Sequence, residues 1–173
     1  RDDTPFAAAE LAALFAPVIG SSAHVALAVS GGSDSMALLV LFAEWLASRD
    51  ASGLRTTVLT IDHALRTESA DEARLVAAQA ARLGLSHAAL VWQGEKPATG
   101  LAAAARTARY RLLGEYMREH GIDLLLTGHT RDDQAETLLM RLARGSGVDG
   151  LAAMPAVGTL AVADHEVRIG RPL

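Results

Sequence analysis

Apolar positions along the chain fall into two alternating registers. Short continuous runs at residues 25–29, 56–61, 87–92 and 122–127 have the length of buried strands. Longer stretches with a period near 3.6 lie between them. Met36, Leu39, Val40, Ala43 and Leu46 recur at helical spacing, so a helix is predicted over residues 35–49. An amphipathic helix is predicted over 6–16, stopped by Pro17. Ser69-Ala70-Asp71-Glu72 has capping-box spacing and opens a helix that Gly84 ends. Gln93 to Gly100 reads as a polar Gly/Pro loop. An Ala- and Arg-rich helix follows and closes near Gly121, and residues 131–143 carry a further helical pattern. Strands alternating with helices predict an α/β fold: an open, mostly parallel sheet with helices on both faces, Rossmann-like in its layers. After Arg144 the pattern changes to a Gly-rich loop. Leu160 to Val162 and Val167 to Ile169 then flank Ala163-Asp164-His165-Glu166 as the arms of a C-terminal hairpin.

The turn after the first strand carries the strongest chemical signal. Val25-Ala26-Leu27-Ala28-Val29 leads into Ser30-Gly31-Gly32-Ser33-Asp34-Ser35 and then into a helix. Adjacent glycines reach backbone angles closed to other residues, so successive N–H groups can converge on one point. The helix start behind them adds partial positive charge. Together they make an anion cradle, and it is not a Walker A loop, because no Gly-Lys-Ser/Thr follows.

Ligands in open α/β sheets gather at the carboxyl ends of the strands. Three polar clusters fall there: Ser30 to Ser35, then Asp62-His63, then Gly128-His129-Thr130-Arg131-Asp132-Asp133. Each has a plain structural alternative. Asp62 can cap a turn, His63 and His129 can be hydrogen-bonded structural histidines, and Asp132-Asp133 can cap the following helix. Glu136 lies one turn beyond that pair, so the three carboxylates can share a helix N-terminal face. Carboxylates beside a phosphate cradle suit Mg²⁺, which takes oxygen ligands and substrate phosphates.

Composition removes several classes of function. The 173 residues suffice for one domain with a real core, and half of them are hydrophobic. Cysteine is absent, which excludes disulfides, thiolate zinc sites, iron–sulfur clusters and persulfide chemistry carried by this chain. That is compatible with a cytoplasmic location. No apolar stretch reaches the roughly 20 residues that span a bilayer. The net charge of −4 does not match a general nucleic-acid binder. The cations are almost all arginine, in runs from Arg106 to Arg118 and Arg131 to Arg144. They read as solvated helix faces or as local phosphate contacts.

Ser-Gly-Gly-Ser-Asp-Ser after a strand resembles the signature of the PP-loop ATP pyrophosphatases, whose domain is of the adenine nucleotide alpha hydrolase type. Further stretches resemble one branch of that superfamily, the tRNA(Ile)-lysidine synthetases. They are Ile61-Asp62-His63-Ala64-Leu65-Arg66, Ala105 to Arg111, Thr127 to Thr137, and Arg144-Gly145-Ser146-Gly147-Val148-Asp149-Gly150-Leu151. One departure is Thr130, where the family often has a second histidine.

The resemblance implies ATP as cosubstrate, Mg²⁺, L-lysine, and a tRNA(Ile) with a wobble cytidine. It implies no membrane and is compatible with a homodimer. Residues 1–173 would form the catalytic domain, with tRNA-recognition domains of the family following it. Gly31 to Ser35 would hold pyrophosphate, and Asp34 and Asp133 the Mg²⁺. Arg106 and Arg144 would neutralise phosphate charge. Asp132 or Glu136 would bind the lysine ammonium or take its proton. Ser30, Asp62, His63, Gly128 and His129 would complete the nucleotide site, Asp62 on the adenosine side. Three rival readings remain. Thiolation of tRNA generally needs cysteines that this chain lacks. Amide formation on a small molecule would need ammonia from elsewhere. A nucleotide-binding module without catalysis would not need three polar clusters.

Overall fold

The computed structural model describes residues 6–49, 53–64, 68–128, 156–162 and 165–173. In chain order the elements are α1 (Ala8–Ile19), β1 (His24–Ala28), α2 (Ser33–Ser48), β2 (Arg55–Asp62), α3 (Glu68–Arg82), β3 (Ser86–Val91), α4 (Leu101–His120), β4 (Leu124–Thr127), β5 (Val157–Val162) and β6 (His165–Gly170). The helix expected over 131–143 lies outside the described residues.

Six strands form one sheet in the order β3-β2-β1-β4-β6-β5. All neighbours pair in parallel except β5, which runs antiparallel to β6. The chain first steps outward from β1 through β2 to β3, then returns to place β4 on the other side of β1. Right-handed crossovers that step in opposite directions put their helices on opposite faces. Side-chain alternation along the strands fills both faces. Val25, Leu27, Leu124 and Leu126 point into one core with Phe15 of α1, Phe42 and Trp45 of α2, and Val76 of α3. Ala26, Leu59, Leu125 and Ile169 point the other way, onto Leu113 and Met117 of α4. Phe15 meets Phe42 edge-on at 5.4 Å, which joins α1 to α2.

Three local expectations are corrected. Helix α1 does not stop before Pro17 but runs through it to Ile19. Val18 and Ile19 are buried there. Burying them is worth about 1.5–3 kcal/mol each, which offsets the hydrogen bond that proline cannot donate. Helix α3 starts at Glu68, so Ser69 lies inside the first turn rather than at the cap. Its hydroxyl donates instead to the Asp62 carboxylate. The C-terminal hairpin is longer than its apolar cores suggested, and it belongs to the main sheet through the pairing of β6 with β4. Gly170 makes that docking feasible: a Cβ there would collide with side chains of Val18 and Leu126.

Candidate active site

The reversal of strand order lies between β1 and β4. In an open α/β sheet this is where the two loops diverge to opposite faces and leave a crevice. Here the crevice is a cavity of about 510 Å³ at the carboxyl ends of β1, β2 and β4. Ala28, Leu59, Ile61 and Leu113 give it an apolar wall. Ser30, Gly32, Ser33, Asp34, Ser35, Thr127 and Gly128 give it a polar one.

The polar wall is built by the turn from β1 into α2. Gly31 has φ +92°, a backbone state that L side chains rarely adopt. Gly32 is extended and caps α2, which begins at Ser33. Ser35 then ties the turn together. Its Oγ accepts from the Ser30 N–H at 3.2 Å and donates to the Gly32 carbonyl at 2.9 Å. Asp34 lines the cavity, and its carboxylate accepts from the Ser33 hydroxyl at 3.2 Å. Oxygen donors beside a helix N-terminus fit a phosphate held with Mg²⁺.

His63, just after the end of β2, lines the same cavity. Arg109 of α4 approaches its Nε2 through Nη2 at 3.5 Å. Guanidinium only donates, so in this long contact Nε2 is the acceptor. Nδ1 is buried and finds no partner among the described residues. Burial first, then the charge of Arg109, holds the His63 pKa below the ordinary imidazole value, against the opposing pull of Asp62. The ring is therefore largely neutral at neutral pH. It stands edge-on to Trp92, 6.0 Å between centroids, and Lys96 lies 4.0 Å above that indole.

The expected site residues divide into three groups. Ser30, Gly32, Ser33, Asp34, Ser35, His63 and Gly128 line the one cavity although they come from three separate segments. Gly31 belongs to the cradle loop, and Asp62 and Arg106 are not on the cavity wall. Asp62 spends its carboxylate on the loop after β2. It accepts from the Ala64 N–H at 2.8 Å and the Ser69 hydroxyl at 2.6 Å, and these two bonds hold its pKa below the ordinary carboxylate value. Arg106 is exposed, with its guanidinium 5.1 Å from the Tyr110 ring centroid. His129, Asp132, Asp133, Glu136 and Arg144 lie outside the described residues. Among the described residues no three histidines or carboxylates converge as a metal site.

Arg109, Tyr110, Ser69, Glu72 and Thr127 also line the cavity, and motif reading did not single them out for it. Arg106 and Arg109 share a helix face with Leu113, so periodicity cannot separate them. Arg109 lies three residues, about 5 Å, further along the helix axis, and of the two it is Arg109 that lines the cavity.

The PP-loop domain pattern matches residues 4–173. The chain belongs to the PP-loop family. Similar PP-loop proteins include the tRNA(Ile)-lysidine synthase of a Bradyrhizobium species, 55% identical over 157 residues, covering 91% of this chain and 43% of that protein. The corresponding enzyme of Bradyrhizobium diazoefficiens is 58% identical over 153 residues, covering 88% and 42%. The chain thus spans about two fifths of the length of these curated relatives. Among solved structures, the U34-tRNA thiolase NcsA from Methanococcus maripaludis, with its [4Fe-4S] cluster, superposes with a TM-score of 0.75. It is 18% identical, over 96% of this chain and 57% of that one. The FMN adenylyltransferase of Candida glabrata bound to FMN and an ATP analogue gives 0.56 at 14% identity, over 95% and 51%. These two likenesses concern the fold. No helix among the described residues is long and apolar enough to cross a membrane.

Proposed function

We propose that this chain is the catalytic PP-loop domain of a tRNA(Ile)-lysidine synthase. It would adenylate the wobble cytidine of tRNA(Ile) with ATP and join L-lysine to C2 of that base. The observation that carries the reading is the identity of 55–58% to enzymes of that name over nearly all of this chain. A phosphate cradle at the switch point of the sheet supports it.

In the first step the C2 oxygen of cytidine attacks the α-phosphorus of ATP. The bond to the β-phosphate oxygen breaks and pyrophosphate leaves. The N–H groups of Gly31 to Ser35 and the start of α2 would receive that charge without reorganising, which is how fixed dipoles lower such barriers. Arg109, the arginine on the cavity wall among the described residues, would add positive charge beside them. Arg106, one turn further out, and Arg144 would add to the same field. In the second step the lysine amino group attacks C2, the C2–O bond breaks, AMP leaves, and the amine loses a proton to a base. Asp132 or Glu136 would hold the lysine ammonium or take that proton. Asp34 and Asp133 would hold Mg²⁺, which neutralises phosphate charge when bound. Helix-face neighbours Tyr110 and Leu113, with Leu59 and Ile61, offer the apolar surface that a purine needs. His63 and Gly128 would lie along the nucleotide, with His129 beside them. The family's tRNA-recognition domains would lie beyond the 173 residues, and a homodimer in the cytoplasm is consistent with the reading.

The test is pyrophosphate release from ATP by the intact protein. Release that depends on tRNA(Ile), with lysine incorporated into the tRNA, is expected. Release that requires a small-molecule acid or amide instead, and ignores tRNA, would replace this reading with amide-forming chemistry.

A further inference from the structure

The loop after β2 has a feature that nucleotide contact does not explain. Asp62 gathers two donors onto one oxygen, Oδ1: the Ala64 N–H at 2.8 Å and the Ser69 hydroxyl at 2.6 Å. Ala64 has φ +49°, the left-handed state that a residue with a side chain rarely adopts. Something must hold the chain there, and the Asp62 carboxylate does so at one end. At the other end it grips the first turn of α3. The next two turns of the same helix lie beside the cradle: a Cβ on Gly31 would stand at ordinary contact distance, 3.8 Å from Val76 Cγ2 and 3.9 Å from Glu72 Cβ. His63, between Asp62 and Ala64, lines the cavity.

We propose that Asp62 is a positioning residue: it latches the β2–α3 connection so that His63 and the first turns of α3 form the wall facing the phosphate cradle. It acts through Ala64 and Ser69 and does not itself touch the nucleotide. The proposal rests on the reading of the cavity as an ATP site and assigns Asp62 a different task from the adenosine contact that family resemblance suggests. The function of the latch is geometric, so a neutral oxygen acceptor can perform it. A role as ligand to a cation or an ammonium would instead need the negative charge.

The experiment is ATP titration, by calorimetry, of the chain and its Asp62→Asn, Asp62→Ala and Ser69→Ala variants, each with its thermal midpoint. Asp62→Asn is expected to stay within about threefold of the parent dissociation constant, because the Asn carbonyl accepts both donors. Asp62→Ala is expected to weaken binding about tenfold or more, the scale of losing an orienting partner. Ser69→Ala should fall between them. The double variant Asp62→Ala with Ser69→Ala should match Asp62→Ala alone, since both remove one latch. Loss in Asp62→Asn equal to that in Asp62→Ala would overturn the proposal, as would parent affinity in Asp62→Ala or additive losses in the double variant. Should Asp62→Ala fail to fold, the other two single variants decide. Near-parent binding in Asp62→Asn with weakened binding in Ser69→Ala supports the latch, and any other pattern overturns it. If the parent chain itself bound no ATP, the nucleotide-site reading would fail instead.

Discussion

The end of β4 sits so close to the first turn of α2 that Gly128 can carry no side chain: a Cβ there would lie 2.8 Å from the Asp34 carbonyl oxygen and 3.1 Å from the Ser35 Cα. Both obstacles are backbone, so relief needs movement of the helix start itself. Gly128→Ala should therefore displace the cradle. Overpacking of this kind costs roughly 1–3 kcal/mol. We expect a loss of that order in chemical denaturation, and an ATP affinity reduced about tenfold because the N–H groups no longer converge. Parent affinity with an unchanged denaturation midpoint would contradict the close approach.

Asp34→Ala in the intact protein should nearly abolish ATP–pyrophosphate exchange. Asp34 lines the cavity within the cradle turn. Removing a group that offsets phosphate charge raises a barrier by on the order of 3 kcal/mol. Parent-like exchange would remove Asp34 from the mechanism.

Arg109→Ala and Arg106→Ala should differ. Arg109 lines the cavity, while Arg106 is exposed. We expect adenylation to fall about a hundredfold in the first and only a few-fold in the second. The reverse order would mean that α4 presents the opposite cation to the phosphates.

Stability should fall on mild acidification. His24, His63 and His87 all have pKa values below the ordinary imidazole value, each chiefly through burial. Between their lowered folded values and the ordinary one, the unfolded chain takes up protons that the folded chain does not. Their contribution is thus complete above the ordinary value and is lost as pH falls through that window. The bonded carboxylates Asp62 and Asp123 add a second loss at lower pH, below the ordinary carboxylate value. The thermal midpoint should drop between about pH 7.5 and pH 5. It should drop less in His87→Gln, which keeps a partner for Thr60. A midpoint flat over that range would refute the burial argument.

The 173-residue chain should bind ATP but hold tRNA weakly. Its net charge is −4, and phosphate contacts drive most nucleic-acid affinity. Filter binding at near-physiological salt checks this. Affinity equal to that of an intact relative would make this domain the main RNA reader.

The parallel sheet and the cradle were legible in the sequence because each is encoded locally. A five-residue apolar run such as Val25 to Val29 has the length of a buried strand rather than a helix, and Gly31-Gly32 before a helical pattern favours a tight turn. That Ser30, Gly32 to Ser35, His63 and Gly128 line one cavity agrees with the rule, applied to the sequence, that ligands gather at the carboxyl ends of the strands. What tertiary structure decided depends on distances between elements. Pro17 stayed helical because Val18 and Ile19 are buried. Ser69 left its expected cap because Asp62 stood within 2.6 Å. Arg109 rather than Arg106 entered the cavity because one helical turn of axial position separates them. Residue pattern records which face a side chain takes, but not how far along that face its neighbour stops, and that distance sets the chemistry of this site.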